Sequence, residues 1–288
     1  MGPKNKFDFL FKEFIYGGHL QCLGASSIIF ITAFVLKLNI RLDALIVAYL
    51  LFYPLYLYNR WKEIEIDYTT NPERTKYLKT YIKYMPFIFA SVILILIIFL
   101  FLFGNFTSFA LGMILLVLGL MYTTVFKKVT RKIILFKNFY VASFFTLLVF
   151  FTAIYHSLPL IKSPIIVPLA ILMLFVFGKA FLMQIFLDLK DVESDKKEGL
   201  KTLGVLIGRD KTFKVLKILS ILTTVPVIVI FSLFVPLFPK SVLMLIFTVF
   251  YNFYSFKIAK DKNYFGYILG SGEFVLWTIL ILSGEILI

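Results

Sequence analysis

Cysteine is nearly absent from this 288-residue chain. Cys22 stands alone, which excludes an intramolecular disulfide and leaves the redox compartment undefined. Charge is scarce as well: acidic and basic side chains make up 16% of the residues, against about 25% in a soluble domain. Hydrophobic residues reach 60% and mean hydropathy is +0.93. A chain so composed lacks the polar residues to cover its own surface, which excludes an ordinary water-soluble fold and makes lipid its solvent. Short-period repeats, low-complexity tracts and Pro/Gly/Ser-rich linkers are also missing, so residues 1–288 are expected to form one domain. Residues 1–13 are polar and basic, and the apolar stretch that follows is too long for a signal-peptide core and has no clear cleavage site. It is expected to be retained as a membrane helix.

Nine stretches are long and apolar enough to span a bilayer, at about 14–36, 42–60, 84–103, 106–126, 138–156, 163–187, 214–235, 239–256 and 264–287. Backbone groups in hydrocarbon must be satisfied within their own segment, so each is expected to be a helix and the protein an all-α, polytopic membrane protein. Gly104 and Asn105 divide the third and fourth spans as a tight hairpin, and Gly17-Gly18 on the first span suggests close helix packing. Pro86, Pro164, Pro168, Pro226, Pro236 and Pro239 mostly fall near span ends, where proline costs least.

Acid is the scarcer sign: 16 Asp and Glu stand against 30 Lys and Arg, a net charge of +14. Such an excess suits nucleic acid or a membrane surface. The N-terminal segment carries three cations, and the junctions after spans two, four, six and eight carry six, five, eight and three; these make 25 of the 30. The opposite side has Lys37, Arg41, Lys162 and Lys240, and Lys179 lies within a span. This asymmetry predicts a cytoplasmic N-terminus and explains the charge as orientation. The cations are strung along loops at the bilayer surface and no nucleic-acid module occurs, so nucleic acid is not an expected partner.

Nine of the 16 acids lie in two places. The first runs Asn59-Arg-Trp-Lys-Glu63-Ile-Glu65-Ile-Asp67, followed by Glu73 and Arg74; the second runs Asp188-Leu-Lys-Asp191-Val-Glu193-Ser-Asp195, followed by Glu198, Gly199, Lys201 and Thr202. At about 100° per residue, Asn59, Glu63 and Asp67 share one helix face, and so do Asp188, Asp191 and Asp195, while Glu65 and Glu193 point away. Stacked carboxylates repel, so a cation is expected between them. Oxygen ligands without His or Cys suit Mg²⁺, which prefers one or two carboxylates plus substrate phosphates. Two such stripes beside basic loops make a clamp for a diphosphate and its metal.

The arrangement resembles the UbiA superfamily of intramembrane prenyltransferases, over roughly residues 14 to 287. Asn59 and Asp67 match the family's first motif, with Glu63 in place of an aspartate and Arg60 where an aspartate is common. Asp188, Asp191 and Asp195, then Gly199-Leu-Lys201-Thr202, match the second. Tyr122, Lys127, Lys128 and the Lys137-Asn138 pair resemble a third element at the fourth and fifth helices. The resemblance implies nine helices around a central cavity opening to the cytoplasm. It also implies Mg²⁺-dependent transfer of a prenyl chain from a polyprenyl diphosphate to a hydrophobic or aromatic acceptor. Asn59, Glu63, Asp67, Asp188, Asp191 and Asp195 are the expected metal ligands, and Asp191, Asp195 and Tyr122 the expected catalytic residues. Lys127, Lys201, Arg74 and Gln184 are expected to bind substrate.

Among the many aromatic residues, Tyr58 and Tyr122 fall near this site. His19, Asn252 and Glu273 lie inside spans and face either a pocket or another helix, and Lys179 either reaches the bilayer edge or enters the cavity. A secondary transporter is the main alternative, sustained by Glu273 alone; a UbiA-like terpene cyclase or an inactive member is another, given Arg60 and Glu63. A CDP-alcohol phosphotransferase is disfavoured, since its Asp-Gly and Ala-Arg pairs do not precede Asp191.

Overall fold

A computed structural model describes residues 6–68, 70–158, 165–234, 237–261 and 263–287. Among these the chain is helical throughout, with no strand. Lys162, Pro164 and Pro236 lie outside the described residues.

Seven helices are long and apolar enough to cross a membrane, and two bent pairs bring the number to as many as nine. The first pair is α1 (Lys6–Tyr16) with α2 (His19–Val35), bent by 59°. Its hinge is Gly17-Gly18, which the sequence suggested as a packing feature. Gly18 has a left-handed φ of 89°, and a Cβ on Gly17 would stand 2.5 Å from the Glu13 carbonyl oxygen. Glycine is the residue that tolerates both conditions. The chain continues through α3 (Leu42–Asp67), the short α4 (Pro72–Lys79), α5 (Met85–Phe103) and α6 (Phe106–Met121). Gly104 and Asn105 do form the hairpin between α5 and α6. Asn105 closes a reciprocal capping box with Ser108, accepting from its backbone N at 2.8 Å and donating its own to the Ser108 hydroxyl at 2.9 Å.

A π-helical turn (Tyr122–Phe126) and the single turn α7 (Lys127–Thr130) follow. Then come α8 (Phe136–Tyr155), α9 (Ile166–Asp188), the short α10 (Val192–Lys197) and α11 (Leu203–Ile207), and α12 (Arg209–Leu233). Pro226 lies inside α12 rather than at its end. A 3₁₀ segment (Lys240–Ile246) leads into α13 (Phe247–Lys260), and α14 (Tyr264–Ser271) and α15 (Glu273–Leu287) form the second bent pair, at 55°.

The large core cluster joins α2, α3, α8, α9 and α15 through residues such as Leu51, Phe151, Phe175 and Trp277. Many other large apolar side chains face outward, among them Phe87, Phe101, Ile114 and Leu222, as a lipid-facing surface requires.

Within this apolar mass Lys179 of α9 and Glu273 of α15 are 0% and 1% exposed and pair with each other at 2.6 Å. Thr248 of α13 and Thr224 of α12 lie 3.3 and 3.5 Å from the ammonium. Asn252 and Trp277 approach the carboxylate at 3.5 and 3.4 Å. The two intramembrane charges that the sequence left without partners therefore complete each other and tie four helices together. Removing one member of a buried pair strands the other charge and costs about 3–5 kcal/mol, whereas apolar replacement of both is often neutral. Lys179→Met is accordingly expected to lower the melting temperature of the purified protein markedly, with Lys179→Met/Glu273→Met recovering most of the loss. Equal melting of the single and double variants would show that the pair does not hold the helices.

Candidate active site

α3 has 26 residues, which is about 39 Å at 1.5 Å per residue, longer than the roughly 30 Å of bilayer hydrocarbon. Its last turns therefore extend past the apolar layer, as the shared helix face of Asn59, Glu63 and Asp67 required. There they wall a cavity of about 230 Å³ together with the π turn, α8, the end of α9 and the segment 190–200. Phe52, Leu55, Phe144 and Phe145 line one part of it, and Asn59, Glu63, Asp67, Asp188, Asp191 and Asp195 line the other. Along α3, Phe52 lies about four turns from Asp67, so the cavity runs from an apolar, aromatic interior to a charged rim.

Because α3 is unbroken to Asp67, Asn59, Glu63 and Asp67 share one face. Each is already engaged. Asn59 Nδ2 donates to Thr123 Oγ1 at 3.4 Å. Lys127 Nζ sits 2.8 Å from Glu63 Oε1 and 2.9 Å from Glu198 Oε2. Asp67 Oδ2 holds two guanidinium groups, Arg60 Nη1 at 3.0 Å and Arg74 Nη2 at 2.9 Å. The π turn carries Tyr122 and Thr123 onto the cavity wall and directs Lys127 across to Glu63; one extra residue per turn re-aims the side chains that follow. The Tyr122 ring packs 5.4 Å from that of Tyr140, which also lines the cavity.

The second acidic stripe is not one helix. α9 ends at Asp188, the chain turns through Leu189 and Lys190, and Asp191 (φ −106°, ψ 11°) caps α10. The expectation of a continuous helical face is thus incorrect. Nothing in Leu189-Lys190 is a helix breaker; Leu189 is instead 1% exposed, packed into a second core cluster with Phe186 and Phe213. The bend nevertheless turns all three aspartates to the cavity. Asp188 is held by Lys137 Nζ at 2.7 Å, Asn138 Nδ2 at 2.8 Å and Gln184 Nε2 at 3.3 Å. Asp191 accepts from Asn71 Nδ2 at 3.0 Å. Asp195 is 4% exposed, and its Oδ2 has no partner among the described residues. Burial pushes its carboxyl up to about 6, with Asp188 and Asp191 adding to the rise and Lys137 opposing it.

Gly199, in the left-handed region at φ 71°, closes α10: Leu200 N reaches back to Asp195 O at 2.8 Å and the chain turns toward α11. Beyond it, Lys201 N donates to Thr130 O and Leu135 N donates to Lys201 O, each at 3.2 Å. This clip sets the start of α8, and with it Lys137 and Asn138. Lys201 itself does not line the cavity, since its ammonium donates to the Lys132 carbonyl at 3.2 Å. Arg74 also stands behind the cavity wall, touching Asp67 from a smaller neighbouring cavity of about 20 Å³. Tyr122, Lys127 and Gln184 do line the main cavity, whereas Tyr58 packs against Phe89 outside it. His19 contacts Tyr49 and Glu13 away from the cavity, and Asn252 and Glu273 belong to the Lys179 network.

Sequence reasoning gave no role to Asn71 or Glu198 and treated Arg60 as a mismatch. Asn71 follows Asp67 by one helical turn and Glu198 follows Asp195 by three residues, so their spacing from the acids was the available signal.

Among the described residues, no three Asp, Glu, His or Cys side chains converge closely enough to hold a metal ion by themselves. The second cluster nonetheless suits Mg²⁺ shared with substrate phosphates: it offers oxygen donors alone, one of them buried and unpartnered. At the first cluster Asp67 Oδ2 and Glu63 Oε1 each already carry a side-chain cation.

No curated protein sequence matches this chain. Among solved structures, an apo UbiA homologue from Aeropyrum pernix K1 superposes with a TM-score of 0.66 at 15% identity, covering 92% of this chain and 97% of that one. A UbiA homologue from Archaeoglobus fulgidus bound to GPP and Mg²⁺ gives 0.63 at 14% identity, covering 95% and 99%. A structure concerning digeranylgeranylglyceryl phosphate synthase in membranes gives 0.58 at 19% identity, covering 97% and 98%. These likenesses establish the fold. Residues 22–265 also match the sequence profile of the UbiA prenyltransferase family, so this integral, multi-pass membrane protein belongs to that family.

Proposed function

We propose that the protein transfers a prenyl chain from a prenyl diphosphate to an aromatic or lipid acceptor inside the membrane and releases diphosphate. The observation that carries this reading is the polarity of the cavity, charged at its rim and aromatic within, which matches an amphiphile with a diphosphate head and an isoprenoid tail. The Archaeoglobus relative, bound to GPP and Mg²⁺, supports the donor class and the metal.

In the proposed step the bond between the allylic carbon and the diphosphate oxygen breaks, and its electron pair leaves with the diphosphate. The acceptor then supplies the electron pair of the new bond to carbon and loses a proton. Mg²⁺, when bound, supplies charge to the departing oxygens. Asp191 and Asp195, with Asp188, would hold it. Lys127 and Lys137 line the rim and offer ammonium groups to the same oxygens. Gln184, one turn inside Asp188, orients that carboxylate through its 3.3 Å hydrogen bond. Tyr122 and Tyr140 present ring faces to the cavity, where an allylic cation is attracted to aromatic quadrupoles and kept from water. Lys201 and Arg74 have no place among the groups that contact substrate.

The reading takes residues 1–288 as one membrane domain with nine spans and a cytoplasmic N-terminus. The concentration of 25 of 30 cations on the loops of one side supports this orientation and a cavity rim facing the cytoplasm.

Asp191→Asn or Asp195→Asn is expected to lower diphosphate release from labelled prenyl diphosphates by roughly 100-fold or more. Glu193→Gln and Glu65→Gln, which alter exposed carboxylates, should leave it close to the parent rate. A chelator should stop release and added Mg²⁺ restore it, with an acceptor panel identifying the partner. Full turnover by Asp191→Asn would exclude the second cluster as the metal site.

A further inference from the structure

In the family pattern Arg60 stands where an aspartate is common, and the structure gives that departure a physical role. Arg60 lines both the main cavity and the smaller one beside it, and shares Asp67 Oδ2 with Arg74. Asp67, Arg60 and Arg74 side chains are only 15%, 17% and 4% exposed, so the triplet is held away from bulk water. Lys127 bridges Glu63 and Glu198 in the same way. Lys190 lines the cavity and makes no ion pair among the described residues.

The two clusters differ in their charge balance. At the first, Arg60, Arg74, Lys127 and Lys190 face Asp67, Glu63 and Glu198, so the fixed charge is already positive. A divalent cation there would meet carboxylates that already hold cations, Asp67 on Oδ2 and Glu63 on Oε1, beside the ammonium of Lys190. At the second, Lys137 is the one cation at ion-pair distance among the described residues, on Asp188, while Arg60 and Arg74 act on Asp191 only from the neighbouring cluster; three carboxylates share that single direct partner, and one buried oxygen is unpartnered. A divalent ion completes that set. Asn71 links the two clusters by donating to Asp191, and it brings no charge.

We propose that the first acidic cluster carries no metal in this chain: Arg60, clamped on Asp67, and Lys127, clamped on Glu63, supply as fixed side-chain charge what a metal would supply there. Metal binding is then confined to Asp188, Asp191 and Asp195. A diphosphate is gripped through metal on one side and by a guanidinium and an ammonium on the other. This inference rests on the prenyl-diphosphate reading above.

The test counts ions directly. Mn²⁺ in place of Mg²⁺ is titrated into the purified full chain with geranyl S-thiolodiphosphate, which binds without ionising, and bound Mn²⁺ is read by electron paramagnetic resonance. The expected result is a single bound Mn²⁺ per chain. Asp191→Asn should weaken it by roughly 10- to 100-fold, the range seen when metal-site groups are removed, while Glu63→Gln leaves its affinity nearly unchanged. Arg60→Asp, which restores an acid at the first cluster, should admit a second Mn²⁺. Two ions in the parent chain, or equal weakening by Glu63→Gln and Asp191→Asn, would overturn the inference. Should Arg60→Asp fail to fold, the parent count and the contrast between Glu63→Gln and Asp191→Asn still decide. Analogue binding with two ions removes this inference alone, whereas failure of the analogue to bind at all removes the prenyl-diphosphate reading as well.

Discussion

Charge in a low-dielectric interior is tolerated only when it is paired, and the structure follows from that constraint. Deep in the bundle the rule is met by Lys179 and Glu273, with hydroxyl and amide groups completing their shells. At the polar end it is met by Asp67 with Arg60 and Arg74, by Glu63 with Lys127, and by Asp188 with Lys137. The charged groups therefore serve two purposes that are usually separate. The inner pair fixes how α9, α12, α13 and α15 meet, and the outer pairs shape a site. The exception among the acids is Asp195, whose buried Oδ2 has no hydrogen-bond partner among the described residues. In a chain that pairs its charges so thoroughly, that remainder is the most informative atom of the site.

The cavity depends on helices of unequal length. α3 continues well past the apolar layer, while α9 stops at Asp188 and, after a short turn, gives way to the short helix α10. Their offset opens the polar rim. The apolar interior is a by-product of the same packing, since Phe52 of α3 and Phe144 of α8 pack edge to face at 5.4 Å beside the cavity. The site is thus positioned by the membrane helices and chemically equipped by the segments that connect them.

Sequence reading reached the all-helical membrane fold because hydrophobic length is a local property, visible one segment at a time. It also reached the acids of the first cluster in their correct register, since i, i+4 spacing on an unbroken helix needs no tertiary information. It missed the bend at Leu189, where the helix stops because of what Leu189 packs against rather than because of a breaker residue. It read Gly17-Gly18 as close packing, which Gly18 makes against Tyr56, but missed the bend there, because glycine serves equally for close packing and for a left-handed turn. It could not match Lys179 with Glu273, or Asn71 with Asp191, since those partners are far apart in the chain. Lys201 shows the converse difficulty: its place beside a metal-type motif suggested a ligand contact, while its backbone and ammonium are spent on Thr130, Leu135 and Lys132.

That last arrangement has a consequence for how the site can change. Connecting segments between membrane helices ordinarily tolerate insertions and deletions. Here the basic segment after α7 and the segment after α10 are stitched by backbone hydrogen bonds on both sides of Lys201. Shifting either segment by one residue would carry Lys137 and Asn138 out of reach of Asp188. The length of this connection is therefore as constrained as the identity of the acids, and divergence at the site is channelled into substitutions such as Arg60 rather than into changes of loop length.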